Sequence, residues 1–397
     1  MTSRRHDIDT LRVGAFGLLI LYHVGMVYVA DWGFHIKSPH QWDWLQWPMV
    51  AVNRWRMDLI FLISGIALGL SRAPDQPWRM GLRRSRLLLI PLIFGMLAIV
   101  PVQAWVEARV NGSFEAGFAA FLLRYWTLTP WDNGAFAGAE FGVTWNHLWY
   151  LAYLWAYSLM LAPLLAMAKL FKRSGLVPRR PAAGTWLWPV LTIVLPTFAW
   201  FAVIYWLEPI FGDTKALFGD WANHAKFFPI FLFGFVIARH DGFWMALIAG
   251  RFRVLAVAAS GFLLYFGLRI LGQVITPVAV DELPDWNWRA ISDTGHAIYG
   301  WSALLSILAF AAVWLNKPWP WLPVANRAVY PWYILHQSLI VPLAYLVISW
   351  NLPGPIEALS VLFGTALGCA LIVHLLILKR SMLWPLFGVE AAARAKD

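Results

Sequence analysis

The chain has 397 residues, of which 60% are hydrophobic and only 13% are charged. Soluble domains carry about 25% charged residues, so this composition excludes an ordinary soluble fold and predicts an all-α polytopic membrane protein within the lipid bilayer. The formal net charge of +10 would suggest a nucleic-acid partner if it were clustered on a soluble face. Here the basic residues lie at the ends of apolar segments. The orientation of membrane spans accounts for this distribution, and no nucleic-acid partner is expected.

Ten apolar runs are long enough to cross ~30 Å of hydrocarbon as helices. They cover residues 11-30, 50-70, 84-104, 147-168, 186-207, 224-239, 252-275, 294-315, 328-350 and 357-378, the sixth being the shortest. Twenty-two of the 31 basic residues then fall in inner segments, which predicts that both termini are cytoplasmic. We expect one membrane domain over residues 1-387 and a short polar tail at 388-397, with the first span retained rather than cleaved as a signal peptide.

A histidine, His23, stands inside the first apolar run. An ionisable side chain at membrane depth is costly and is therefore a functional-site hypothesis, and histidine is the readiest general base near neutral pH. The alternative is that His23 only hydrogen-bonds a neighbouring helix. Asp9 and Arg12 begin the same run, and on a helix Arg12 and His23 share one face about 16 Å apart. Taken separately, Asp9 and Arg12 are also explained as a capping aspartate and a snorkelling arginine.

A basic stretch precedes the third span, with Arg83, Arg84 and Arg86 leading towards Pro91. Guanidinium groups three residues apart on a helix could grip a phosphate through paired hydrogen bonds. A positive-inside anchor explains the same arginines without any ligand.

Polar residues also interrupt the fourth and ninth spans. His147 and Trp149 follow Asn146, which is placed to cap the fourth span. In the ninth span Tyr333 precedes the pair His336 and Gln337, and this pair needs internal partners because lipid offers none. We expect the pair to face the protein interior.

The outer loops 31-49 and 105-146 are long and rich in tryptophan, which argues against disorder. Tryptophan at this depth is typical of an interfacial belt, and the alternative is stacking against a sugar ring. The single cysteine, Cys369, excludes an intrachain disulfide framework and a cysteine-based metal site, and we predict no metal ligand.

Taken together, five motifs in order resemble acyltransferase family 3, the integral membrane enzymes that move an acyl group from cytoplasmic acyl-CoA to an extracytoplasmic sugar hydroxyl. The matching pieces are Asp9-x-x-Arg12 with His23, Arg56-Met57-x-x-Ile60-Phe61-Leu62-Ile63-Ser64-Gly65, Arg83-x-x-Arg86 before Pro91, His147-Leu148-Trp149-Tyr150-Leu151, and Tyr333-Ile334-Leu335-His336-Gln337. Within the family the chain looks most similar to the periplasmic glucan succinyltransferases. One departure is the stretch Ala152-Tyr153-Leu154-Trp155, where many O-acetyltransferases of the family carry paired glutamates.

The resemblance implies that His23 is the catalytic histidine and that Arg83 and Arg86 contact CoA, with Arg84 as the alternative because the spacing to Pro91 is loose. We expect acyl-CoA as donor substrate, with succinyl-CoA favoured over acetyl-CoA, and no permanently bound cofactor. The expected acceptor is an extracytoplasmic glycan, and the expected location is the bacterial inner membrane. We assign Arg12 to the CoA side, and the remaining candidates to substrate binding, namely Asp9, His147, Trp149, Tyr333, His336 and Gln337.

Three questions stay open at this point. His23 acts either as a general base or as a transient acyl carrier. A transporter or flippase for a polar or lipid-linked substrate could equally use buried His, Arg and Gln along a pathway. The oligomeric state is also open, a homo-oligomer included.

Overall fold

The computed structural model describes residues 4–132, 134–173, 190–275 and 285–390. Three predicted features lie partly outside these residues: the start of the fifth span (186–189), the outer loop that holds Asp281 and Glu282 (276–284), and most of the polar tail (391–397).

The described residues form α-helices and no β-strand. The helices are α1 (His6–Tyr28), α2 (Gln46–Asn53), α3 (Arg56–Leu70), α4 (Pro77–Phe94), α5 (Pro101–Val110), α6 (Phe118–Tyr125), α7 (Trp149–Arg173), α8 (Leu195–Ala202), α9 (Glu208–Phe211), α10 (Trp221–Ile237), α11 (Asp241–Ala249), α12 (Arg251–Ile275), α13 (Asp285–Trp314), α14 (Leu322–Ile348) and α15 (Gly354–Leu371). Short π-helical turns continue α4 into α5, join α8 to α9 and extend α15.

Each of the ten predicted spans corresponds to a helical stretch, and among the described residues eight are long and apolar enough to cross a membrane. The count rises to nine if α10 and α11 form one span; α10 covers most of the predicted sixth span, and α11 follows it after a bend of 102°. The predicted second span contains α3, whose 15 residues extend only about 22 Å. The chain is therefore an all-α, multi-pass membrane protein, as its composition indicates.

The chain divides into two compact units. Unit 1 comprises residues Met1–Leu11, Ala51–Pro77 and Met160–Pro318, and unit 2 comprises Arg12–Val50, Trp78–Leu159 and Trp319–Asp397.

In unit 1, α3 and α10 cross with their backbones in direct contact. A Cβ atom on Gly65 would overlap the carbonyl oxygen of Phe231, and a Cβ atom on Gly234 would overlap that of Leu62. Small residues allow this close approach between helices in a membrane, where van der Waals packing replaces the hydrophobic effect. This contact gives a physical reason for the glycine that ends the Phe-Leu-Ile-Ser-Gly motif.

In unit 2, the segment after α1 folds back over the C-terminal end of that helix. The backbone amide of Ser38 donates to the carbonyl of Val27 at 3.0 Å, and the Lys37 ammonium donates to the carbonyls of Met26, at 2.9 Å, and Val29. A lysine that binds the last carbonyls satisfies the helix end and its dipole. Burial lowers the pKa of Lys37, and the nearby Asp31 carboxylate opposes that shift. This folding fixes the position of the residues between, His35 among them.

The described residues between α5 and α7 pack around a hydrophobic cluster of their own. Phe121, Tyr125 and Phe136 are buried there, and Trp131 packs against Phe121 with ring centroids 4.8 Å apart. The Tyr125 hydroxyl accepts a hydrogen bond from the Thr144 amide at 3.0 Å, and burial raises the pKa of Tyr125 to about 12. Trp131 therefore belongs to the core of this loop.

Candidate functional site

In unit 2 the structure pairs His23 with His336, although 313 positions separate them in the chain. His23 Nδ1 lies 3.0 Å from His336 Nε2. His23 is half-buried on α1, three turns beyond Arg12, and His336 on α14 is 1% exposed. The expectation that His336 and Gln337 face the interior is confirmed, since both are buried.

The hydrogen-bond partners assign the tautomer of each ring. His336 Nδ1 lies 2.6 Å from the carbonyl oxygen of Tyr333, and a carbonyl can only accept, so Nδ1 carries the proton. In a neutral ring His336 Nε2 then accepts from His23 Nδ1–H. The basic lone pair of neutral His23 is consequently on Nε2.

The third histidine, His147, is fixed against the backbone of α14. Its Nε2 donates to the carbonyls of Tyr333 and Ile334 at 3.1 and 3.2 Å, and its Nδ1 accepts from the Gln103 amide at 3.4 Å. The Tyr333 hydroxyl returns a hydrogen bond to the His147 carbonyl at 2.5 Å. Both nitrogens of His147 are therefore hydrogen-bonded, and the ring links the turn before α7 and helix α5 to the α14 backbone just before His336.

Three consecutive residues of α14 each contact a different segment. His336 holds His23, Gln337 donates from its amide to His35 Nε2 at 2.8 Å, and Ser338 accepts from Gln103 at 2.5 Å. Successive helical positions are about 100° apart, so three neighbours can reach three elements.

The His35 ring extends this network to a carboxylate. His35 Nδ1 donates to Glu107 Oε2 at 2.5 Å, and Glu107 Oε1 accepts from the Ala137 amide at 3.1 Å. Phe34, the residue before His35, stacks on the His23 ring with centroids 6.4 Å apart. The segment after α1, helix α5 and the loop that contains Ala137 thus meet at this partly buried imidazole and carboxylate pair.

Sequence reasoning missed His35, Gln103, Glu107 and Ser338. A signal was present for two of them, since Gln103 and Glu107 are four residues apart and share one face of α5. The position of His35 depends on the fold of its segment, and no spacing in the sequence reveals it.

The surroundings of two predicted substrate-binding residues, Trp149 and Gln337, and of the predicted helix cap Asn146 differ from one another. Trp149 is 7% exposed and packs edge-on against Tyr153 at 5.1 Å, so its ring does not form an outer stacking surface. Asn146 does not cap a helix; its amide donates to Gln103 at 3.4 Å, and α7 begins three residues later. Gln337 Oε1 is buried and has no hydrogen-bond partner among the residues that the structure describes. Gln337 Oε1 is therefore an unused hydrogen-bond acceptor next to His336.

The predicted CoA-side arginines on α4 lie in three environments. Arg83 forms an ion pair of 2.7 Å with Glu390, both exposed, and Arg84 Nε donates to the buried Ser158 hydroxyl at 3.2 Å. Arg86 is exposed. Arg83 and Arg86 can therefore meet a solvent-borne anion, whereas Arg84 is held against α7.

The predicted residue Asp9 belongs to unit 1. Its carboxylate accepts from Arg4 Nε at 2.9 Å, close to the start of α1. No group of three or more His, Cys, Asp and Glu side chains in the described ranges has the arrangement of a metal site.

The half-buried hydrogen bond between His23 and His336 determines which His23 nitrogen can accept a proton, as the orienting group does for the histidine of a catalytic triad. No curated protein and no solved structure matches the chain significantly. The family model described as an acyltransferase domain, acyltransferase family 3, matches residues 5–374, which span both units. The chain therefore belongs to acyltransferase family 3 and is a multi-pass membrane acyltransferase.

Proposed function

We propose that the protein transfers an acyl group from acyl-CoA to a hydroxyl of an extracytoplasmic glycan, with His23 as general base. The observation that carries this proposal is the 3.0 Å hydrogen bond from His23 Nδ1 to the buried His336, which places the basic lone pair on Nε2. A base with an oriented tautomer is what proton transfer from a hydroxyl requires.

In the proposed reaction His23 Nε2 takes the proton of the acceptor hydroxyl as its oxygen attacks the thioester carbonyl. The C–S bond then breaks, and the imidazolium returns its proton to the CoA thiolate, so the products are the acyl ester and the free thiol. While His23 is charged, its Nδ1–H donates a charge-assisted and therefore stronger hydrogen bond to His336. His336 in turn stays oriented by its bond to the Tyr333 carbonyl at 2.6 Å.

On the donor side, we assign the phosphates of CoA to Arg12, Arg83, Arg84 and Arg86. Two facts favour this assignment: Arg83 and Arg86 are exposed on α4, and guanidinium groups bind phosphate bidentately. Glu390 forms an ion pair with Arg83 in this structure, so a phosphate of CoA would have to displace the Glu390 carboxylate.

On the acceptor side, we assign succinyl as the favoured acyl group and a periplasmic glucan as the acceptor. The basis is the resemblance of the sequence motifs to the glucan succinyltransferases. The buried Gln337 Oε1, one residue from His336, is suited to accept a hydrogen bond from the glycan hydroxyl. The location that this reaction requires is the bacterial inner membrane.

Isotope-labelled succinyl-CoA offered to the purified protein with periplasmic glucan tests the proposal. We expect label on the glucan with the native protein and none with His23→Ala, while His374→Ala, a histidine of the last span, retains activity as the matched control. Full activity of the His23 variant would disprove the general-base role. Label that remains on the denatured protein at His23 would instead indicate an acyl-enzyme.

The chemical identity of the product is a separate test. Mass spectrometry of periplasmic glycans from cells with and without the protein gives the mass of the added group and the glycan that carries it. A succinyl increment on glucan supports the assignment, and an acetyl increment or another acceptor corrects it without affecting the role of His23.

A further inference from the structure

The segment that follows α1 places a phenylalanine beside the proposed base, within unit 2. Phe34 is half-buried, and its ring lies nearly parallel to the His23 ring, at 16°, with the centroids 6.4 Å apart. His336 engages Nδ1 of the same imidazole at 3.0 Å. Phe34 therefore borders the ring whose Nε2 carries the proposed basic lone pair.

The surroundings of Phe34 are apolar. It packs against a buried hydrophobic cluster to which Ile20 and Val27 of α1 belong, together with residues of α5, α14 and α15. Ile20 and Val27 lie three positions before and four positions after His23, so they share its face of the helix. The phenylalanine thus extends an apolar surface along the face of α1 that carries the base.

The segment that carries Phe34 is anchored by a buried carboxylate. The Ser38 hydroxyl donates to Glu357 Oε1 at 2.7 Å, and Glu357, in the first turn of α15, is 0% exposed. A Cβ atom on Gly354 would lie 2.9 Å from the His40 side chain, so the start of α15 packs directly on the segment. The anchor is four residues from Phe34 in the chain.

This anchor is a costly one. A carboxylate loses its hydration on burial, and the bond from one hydroxyl recovers only part of that free energy. An ionisable residue buried in a membrane protein is a functional-site hypothesis for this reason. What Glu357 fixes through Ser38 is the segment that places Phe34 beside His23.

The reason to place an apolar ring there is chemical. A base that activates a sugar hydroxyl can also activate water. Water would attack the thioester carbonyl, the C–S bond would break, and the proton would pass through the base to the thiolate, which yields the free carboxylic acid and the CoA thiol. An enzyme that transfers the acyl group to another acceptor has to exclude this reaction.

We propose that Phe34 excludes water from His23 and so directs the acyl group to the acceptor hydroxyl, and that Glu357, acting through Ser38, is a positioning residue for Phe34. The proposal rests on the proposed function, because it takes His23 as the general base. It assigns the choice between transfer and hydrolysis to one side chain.

The test measures labelled free acid released from succinyl-CoA and from acetyl-CoA by the full-length protein in an uncharged detergent, without glycan. We expect slow release by the native protein and at least about tenfold faster release by Phe34→Ala. Phe34→Leu keeps an apolar side chain and should remain close to the native rate. The matched control is Phe114→Ala, which removes a half-buried phenylalanine that packs on Phe121 and Trp131 and should not change hydrolysis.

Ser38→Ala tests the anchor with Phe34 in place, and it keeps the test valid if Phe34→Ala does not fold. It removes the donor to Glu357, so hydrolysis should rise as in Phe34→Ala. Glu357→Gln keeps an oxygen that accepts from the Ser38 hydroxyl and should hydrolyse acyl-CoA like the native protein. A merely structural role would lower hydrolysis and transfer together. The native hydrolysis rate in Phe34→Ala, or in Ser38→Ala, would overturn the proposal.

His23→Ala separates this proposal from the proposed function. Combined with Phe34→Ala it should abolish the added hydrolysis, because water would use the same base, and hydrolysis that persists in the double variant would overturn the proposal. Transfer to glucan that persists in His23→Ala refutes the proposed base. Loss of transfer in His23→Ala together with native hydrolysis in Phe34→Ala refutes only the role of Phe34.

Discussion

Replacing His336 by Phe removes the acceptor of the His23 hydrogen bond and keeps a ring of similar size. His23 would then lose the bond that keeps its proton on Nδ1, and part of its population would carry the proton on Nε2, the atom proposed to act as the base. The lost bond measures 3.0 Å and one partner is 1% exposed. Removing one partner of a buried hydrogen bond costs about 1–3 kcal/mol, which corresponds to about a 5- to 150-fold lower kcat.

Initial rates of acyl transfer at saturating acyl-CoA measure this effect. His336→Gln distinguishes orientation from packing, because glutamine places its Oε1 at about the reach of histidine Nε2 and can accept from His23 Nδ1–H. We therefore expect His336→Gln to retain clearly more activity than His336→Phe. His374→Phe is the control for introducing an aromatic ring into a membrane helix.

Two results would refute the reasoning. If His336→Phe matches the native kcat, the hydrogen bond does not orient the base. If both His336 variants lose activity equally at unchanged unfolding temperature, acceptance by His336 is not the property that matters.

Three further predictions concern other contacts. Glu107→Gln weakens the 2.5 Å bond to His35, and we expect about tenfold lower kcat/KM and faster proteolysis between α1 and α2; an unchanged digestion pattern would contradict this. Glu390→Gln frees Arg83, so KM for acyl-CoA should fall about two- to fivefold with little change in unfolding temperature, whereas an unchanged KM would place CoA elsewhere. Gly65→Ala forces a methyl group against the α10 backbone and should destabilise the protein by about 3 kcal/mol in denaturant unfolding, which native-like stability would disprove.

The helices were largely predictable because apolar runs of membrane length have few other stable states. The departures have local causes. The predicted second span is interrupted by a turn at Arg54 and Trp55 before the 15-residue α3. The predicted sixth span is followed at once by a 102° bend between α10 and α11. Hydropathy averages over about twenty residues and does not resolve such breaks.

The sequence pointed to three histidines of the candidate site, but it did not reveal which side chains they contact. The sequence left two roles for His23, a chemical one and a hydrogen bond to a neighbouring helix. The structure shows that hydrogen bond, and its direction leaves the ring lone pair on Nε2. His35 and Glu107 are 72 positions apart, and only the folded segment after α1 brings them together. Pairings of that kind depend on tertiary structure, which residue spacing does not encode.

The adjacent positions of His336 and Gln337 have a mechanical consequence. His336 contacts His23, and Gln337 contacts His35, whose ring joins the segment after α1 to Glu107. A rotation or axial shift of α14 would strain both bonds at once, because side chains on a rigid helix cannot move independently of its axis. The orientation of the His23 ring and the position of the segment after α1 are thus coupled through one helix.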